Sequence, residues 1–194
     1  MEYLNEHEQF ETIKMEVINK LNEHKIPYEY WGMGSAKTLD HLVKEVLKGE
    51  SVLEENEKGE LVRKLAVLWV NVFHKTSSGE TYLLKEEKQM FKDGRERRRR
   101  LEGSIAEKLQ ASEQPDESSI ARALKEELNI NTTIFSEAKG EDIAKGDSAS
   151  YPGLPMEMKK YHFDVEIADD EFKPEGYTEN QADKDTYFVW EKVE

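Results

Sequence analysis

The spacing of the apolar residues changes at Leu61, and that change narrows the folds open to the chain. From Leu61 to Phe73 apolar side chains occupy both alternating faces, including Leu61, Val62, Leu65, Val67, Leu68, Trp69, Val70 and Val72. A strand that is apolar on both faces must be covered on both, which predicts an inner strand of a layered sheet. Ser77-Ser78-Gly79 turns the chain, and Thr81–Phe91 reads as the antiparallel return. Asp93-Gly94 is a short-turn signal, and Glu96–Leu101 predicts a further strand. Downstream, Ser118–Leu128 predicts a helix, while Thr132–Ser136 and Thr186–Val193 predict strands. Lys159–Ile167 alternates, with Tyr161, Phe163, Val165 and Ile167 on one face. Gly140, Gly146, Pro152, Gly153 and Pro155 predict a mobile loop over 138–156. Residues 168–185 read as an acidic loop and residues 54–58 as a turn.

Upstream of Leu61 the period is helical. Phe10, Ile13, Val17 and Leu21 form one stripe over residues 5–24, which Ile26-Pro27 ends. Leu39, Leu42, Val43, Val46 and Leu47 mark a second helix, capped by Thr38 or Asp40 and stopped by Gly49. The predicted organisation is a helical extension over 1–60 and an α/β domain over 61–194, built as a sandwich on a mixed sheet. The extension would cap the sheet, form a homodimer or gate a pocket.

Composition removes several chemistries. With no cysteine there is no disulfide framework, thiolate metal site or thiol nucleophile. No apolar run approaches the roughly 18 residues of a membrane span. The start, Met-Glu-Tyr-Leu-Asn-Glu, has neither a basic nor an apolar leader region, so the expected location is cytoplasmic. A net charge of −14 disfavours nucleic acid and anionic membranes as partners. The charge is unevenly placed: residues 101–194 hold 23 acidic and 10 basic side chains, whereas Lys88, Lys92, Arg95, Arg97, Arg98, Arg99 and Arg100 crowd together just before them.

Gly32-Met33-Gly34-Ser35-Ala36-Lys37-Thr38 fails as a phosphate loop, because Ala36 and Trp31 stand where that motif needs glycine. It predicts a turn into the second helix, with at most a local anion contact for Lys37. The five histidines have no metal-ligand spacing and predict structural or surface roles. Trp31, Trp69 and Trp190 predict packing anchors.

The stretch Leu101–Ile130 carries the chemistry. On its helix Ile120, Leu124 and Leu128 form the buried ridge, and Arg122 can pair with Glu126 four residues on. Glu126 and Glu127 lie about 100° apart around the helix, so both can face the preceding loop. Two carboxylates aimed into one pocket repel unless a cation separates them, and Mg²⁺ favours such a site.

These residues resemble the Nudix hydrolases, whose box reads G-x5-E-x7-R-E-U-x-E-E-x-G-U, with U aliphatic. Gly103, Glu113, Arg122, Leu124, Glu126, Glu127 and Ile130 carry the likeness, which covers residues 61–194. Ala123 replaces a box glutamate, Asn129 replaces the helix-ending glycine, and the intervals around Glu113 are longer. The resemblance implies an α/β/α sandwich with a mixed sheet and a Mg²⁺ cofactor, with Mn²⁺ as its substitute. It implies water attack at phosphorus in a diphosphate linkage of a nucleotide derivative. Glu126, Glu127 and Glu113 would ligate the metal, with Glu113 otherwise orienting Arg122. Glu107 or Glu113 would act as base, and Glu166 or Glu141 would be a further ligand. Arg97, Arg99, Arg100 and Gly103 would bind substrate. Two other readings stand beside it: a weak or inactive Nudix-like module that senses nucleotides or binds a partner, and a nucleic-acid binder led by the arginine run.

Overall fold

The computed structural model describes residues 5–98 and 103–193. It is an α/β protein with three α-helices and a mixed sheet of nine strands among the described residues. The helices are α1 (Glu6–Glu23), α2 (Leu39–Leu47) and α3 (Glu117–Leu128). The strands are β1 (Val52–Glu55), β2 (Leu61–Lys75), β3 (Thr81–Phe91), β4 (Glu96–Arg97), β5 (Ile105–Lys108), β6 (Thr133–Asp147), β7 (Pro155–Ile167), β8 (Tyr177–Asn180) and β9 (Lys184–Val193). Hydrogen bonding orders them β6-β7-β2-β3-β9-β8, with β1 and β5 paired to β2 and β4 paired to β3. No helix among the described residues is long and apolar enough to cross a membrane.

The chain divides into two compact units. One comprises the residues through Ala66 together with Lys108–Glu113 and Asp142–Lys160. The helices of this unit start on reciprocal caps. Asn5 Oδ1 accepts from the Glu8 amide while Glu8 Oε2 accepts from the Asn5 amide. Thr38 caps α2, and the His41 ring accepts from the Thr38 amide in return. The predicted stripe of α1 is buried through Val17 and Leu21, which pack with Leu42, Val43, Leu53 and Leu61. Trp31 joins this core: its ring lies 5.0 Å from that of Tyr151 and its indole N–H donates to Pro152 O.

Tyr151 and Leu154 are fully buried. The mobile loop expected over 138–156 is therefore a correction: the segment is the end of β6, a tight turn, and the start of β7. The breakers misled because glycine inside a strand marks a bend as readily as a loop. Gly140, at φ +121°, sits within β6, a polar edge strand with no alternation to reveal it. The β1 strand likewise occupies residues assigned to a turn, since Glu54 and Glu55 pair with Val62 and Leu61.

The second unit comprises Val67–Glu107, Gln114–Glu141 and the residues from Tyr161 onward. Here β3 is the antiparallel return predicted after β2, pairing Phe73 with Leu83. It then runs against β9 from Thr81↔Val193 to Phe91↔Lys184, with a bulge between Glu86 and Lys88. The strand expected over Glu96–Leu101 is seen only at Glu96–Arg97, and its remaining residues from Arg99 lie outside the described residues. The acidic loop expected over 168–185 contains β8, which pairs Tyr177–Asn180 with β9. Gly176 enters β8 at φ +84°, and a Cβ there would stand 1.9 Å from Phe188 O. Gly176→Ala should therefore cost about 2–3 kcal/mol, read as a lowered urea midpoint with an unchanged m-value.

Candidate functional site

Helix α3 builds the site. Asp116 caps it by accepting from the Ser118 and Ser119 amides, and Asn129 closes it in the left-handed conformation at φ 55°. Ile120, Ala123, Leu124 and Leu128 are buried. The helical period then places Glu127 on the flank of this buried face and Glu126 on the outer side.

The two adjacent glutamates do different things. Arg122 Nη1 donates to Glu126 Oε2 at 2.7 Å and to Glu107 Oε1 at 3.3 Å. The Glu126 side chain is 53% exposed, a solvent-facing partner of this pair. Glu127 is half-buried and meets Glu107 from β5 and Glu179 from β8. Burial, reinforced by the charges of Glu179 and Glu107, pushes the Glu127 carboxyl up to about 8. Near neutral pH, burial and the two neighbouring carboxylates favour the protonated form of Glu127.

The approach of Glu107 is fixed by Ser104, which is fully buried. Its hydroxyl donates to Leu84 O at 2.6 Å and accepts from the Val72 amide at 2.8 Å, stitching the entry of β5 to β2 and β3. Gly103 lies against the β2 backbone, where a Cβ would come within 3.2 Å of Val70 O.

Among the residues singled out from the sequence, the structure brings together Glu107, Arg122, Glu126 and Glu127. It places Glu113 in the other unit, where its carboxylate accepts from the Gln110 amide. Arg97 Nε donates to Gln89 Oε1 at 3.0 Å. Arg99 and Arg100 lie outside the described residues. The carboxylate arriving from a distant strand is Glu179, which sequence reasoning missed because it lay in the supposed acidic loop. The signal was present but short: Tyr177 and Thr178 are β-formers directly after a glycine.

The donor chemistry of Glu107, Glu127 and Glu179 fits a hard divalent cation, because all three are carboxyl oxygens that meet at one place and Arg122 pairs with Glu107. Among the described residues no group of three or more acidic, histidine or cysteine side chains stands in a ready-made ligating arrangement.

A second buried charged group, in the first unit, contrasts with this one. Glu45 is 4% exposed and Arg63 3%. Glu45 Oε2 accepts from Arg63 Nη2 at 2.6 Å and from the Ser51 hydroxyl at 3.0 Å. Its Oε1 pairs with Lys37 at 2.8 Å and Lys108 at 2.5 Å. Burial pushes the Glu45 carboxyl up, but Arg63, Lys108 and Lys37 overcome it and hold the group well below the usual carboxylate range. Every oxygen is used, so this is a structural lock, and it gives Lys37 its role. Compared with protein-family models and with curated proteins, the chain matches none.

Proposed function

We propose that the chain is a Nudix-type hydrolase, built on that family's α/β/α sandwich, that uses Mg²⁺ or Mn²⁺ to cleave a diphosphate linkage in a nucleotide derivative. The observation that carries this reading is the meeting of three carboxyls from separate elements, Glu127 of α3 with Glu107 of β5 and Glu179 of β8, at a half-buried position. Proteins place mutually repelling carboxyls in one pocket where a cation is to be held. Glu107, Glu127 and Glu179 would hold it, and Glu127 would release its proton as the cation enters. The bound cation would offset the charge of the diphosphate and of the departing group. Arg122 keeps Glu107 and Glu126 in place by bonding both.

Turnover of a panel of nucleoside diphosphate derivatives, followed by phosphate or nucleotide release, should require Mg²⁺ and vanish with excess chelator. Glu127→Gln should lower it by about a hundredfold or more. Glu126→Gln should have a much smaller effect, because its carboxylate faces solvent. Chelator-insensitive turnover, or a larger loss in Glu126→Gln, would sink the reading.

A second reading, a nucleotide-binding module that turns over weakly, is favoured by Ala123. This residue is fully buried where the resembling box carries a glutamate. Thermal shifts with Mg²⁺ and a nucleoside diphosphate, in the absence of any turnover, would select it.

A further inference from the structure

Four paired residues cross the second unit in one row. Glu179 on β8 pairs with Thr186 on β9, Thr186 with Gln89 on β3, and Gln89 with Arg97 on β4. Residues directly opposite across a ladder share a sheet face, so these four side chains belong to one face. Neighbouring strands lie about 4.8 Å apart, which separates the two ends of the row by roughly 14 Å between Cα atoms.

The middle of this row is unusual for a sheet interior. Gln89 is 0% exposed and Thr186 2%. The Thr186 hydroxyl has no hydrogen-bond partner. Burying such groups costs free energy that apolar residues would not. The carboxamide of Gln89 bridges two charged neighbours. Its Oε1 holds Arg97 Nε at 3.0 Å, while its Nε2 donates to Glu86 at 3.4 Å.

Arg97 also differs from the cations around it. Lys92 is paired with Asp185, Arg95 with Asp93, and Arg98 with Glu96. Among the described residues Arg97 pairs with no carboxylate; its contacts are Gln89 and the Phe91 ring, 5.8 Å from the guanidinium carbon. It is exposed. A neutral amide thus fixes the guanidinium without quenching its charge, and the forked Nη edge is left for an anion.

We infer that Arg97 is an anion-holding residue positioned by Gln89, taking the far phosphoryl group of a ligand whose near phosphoryl group lies at Glu107, Glu127 and Glu179. This rests on the hydrolase reading for the near end only. The separation along the row suits linked phosphoryl groups and not a single phosphate.

The test is calorimetric binding of inorganic tripolyphosphate and of orthophosphate to the full chain in Mg²⁺. Arg97→Ala should weaken tripolyphosphate about tenfold or more, the loss of a charge-assisted hydrogen bond. Arg97→Lys should recover part of it. Gln89→Met, which keeps the buried volume and removes the acceptor, should weaken tripolyphosphate severalfold. Orthophosphate affinity should stay level in all three, a selectivity that a merely structural role for Gln89 would not alter. A parent protein that does not bind tripolyphosphate, an Arg97→Ala affinity within twofold of parent, or equal losses for both anions would overturn the inference. Parent-like tripolyphosphate binding in Gln89→Met would remove the positioning role. The hydrolase reading is judged separately, by the chelator and Glu127 dependence of nucleotide turnover, so either can fail alone.

Discussion

Glu127→Gln should raise the melting temperature of the protein at pH 8–9 while abolishing its Mg²⁺-dependent turnover. The sign follows from linkage. Glu127 titrates at about 8 in the folded protein against an ordinary value of 4.5. Between those values the folded state holds a proton that the unfolded state has lost, so stability falls as pH rises. The contribution of the protonated group is fully present below about pH 4.5 and gone once pH has passed 8. Glutamine keeps the shape and the hydrogen-bond donor and never ionises. The variant should match the parent near pH 4.5 and exceed it by about 3 kcal/mol above pH 8. In a chain of this length that is several degrees of melting temperature. A residue that gains stability on losing its charge while activity disappears is kept for chemistry and not for the fold. A variant less stable than the parent at every pH would make Glu127 a structural acid and remove the main support for the proposed cation site.

At Glu45 the expected effect has the opposite sign. Glu45→Gln leaves Arg63 and Lys108 facing a neutral amide in the interior, which should cost about 3–5 kcal/mol. The melting temperature should fall by roughly 10 °C. Because Glu45 is a stronger acid in the folded protein than in the unfolded chain, its stabilisation is fully present above pH 4.5 and is lost as pH falls below that value. Acid sensitivity of the parent below pH 4.5, blunted in Glu45→Gln, would be the signature in thermal melts. Pairing Glu45→Leu with Arg63→Met should recover much of the loss, because an apolar pair leaves far less buried charge without a partner. A Glu45→Gln protein as stable as the parent at pH 7 would mean that solvent already screens the network.

The local elements were legible and the contacts between them were not. The cap at Thr38, the stripe of α1 and the ridge of α3 depend on residues within about four positions of one another. The inner strand β2 was legible because apolar residues on both faces permit only burial. Gly140 and Gly146 concealed β6, an edge strand whose pairing on one side and exposure on the other leave little pattern. Nothing in the sequence singles out Glu45 and Arg63, since it carries no mark of which charge a fold will enclose.

The candidate site divides in the same way. That Arg122, Glu126 and Glu127 share one helix with a buried ridge follows from residue order and 3.6 residues per turn. That Glu126 turns to solvent with Arg122, while Glu127 meets Glu107 and Glu179, follows from the folded arrangement alone. The difference is one of reach: a helix sets the angle between neighbouring side chains, but strand register and burial set which distant charges face them.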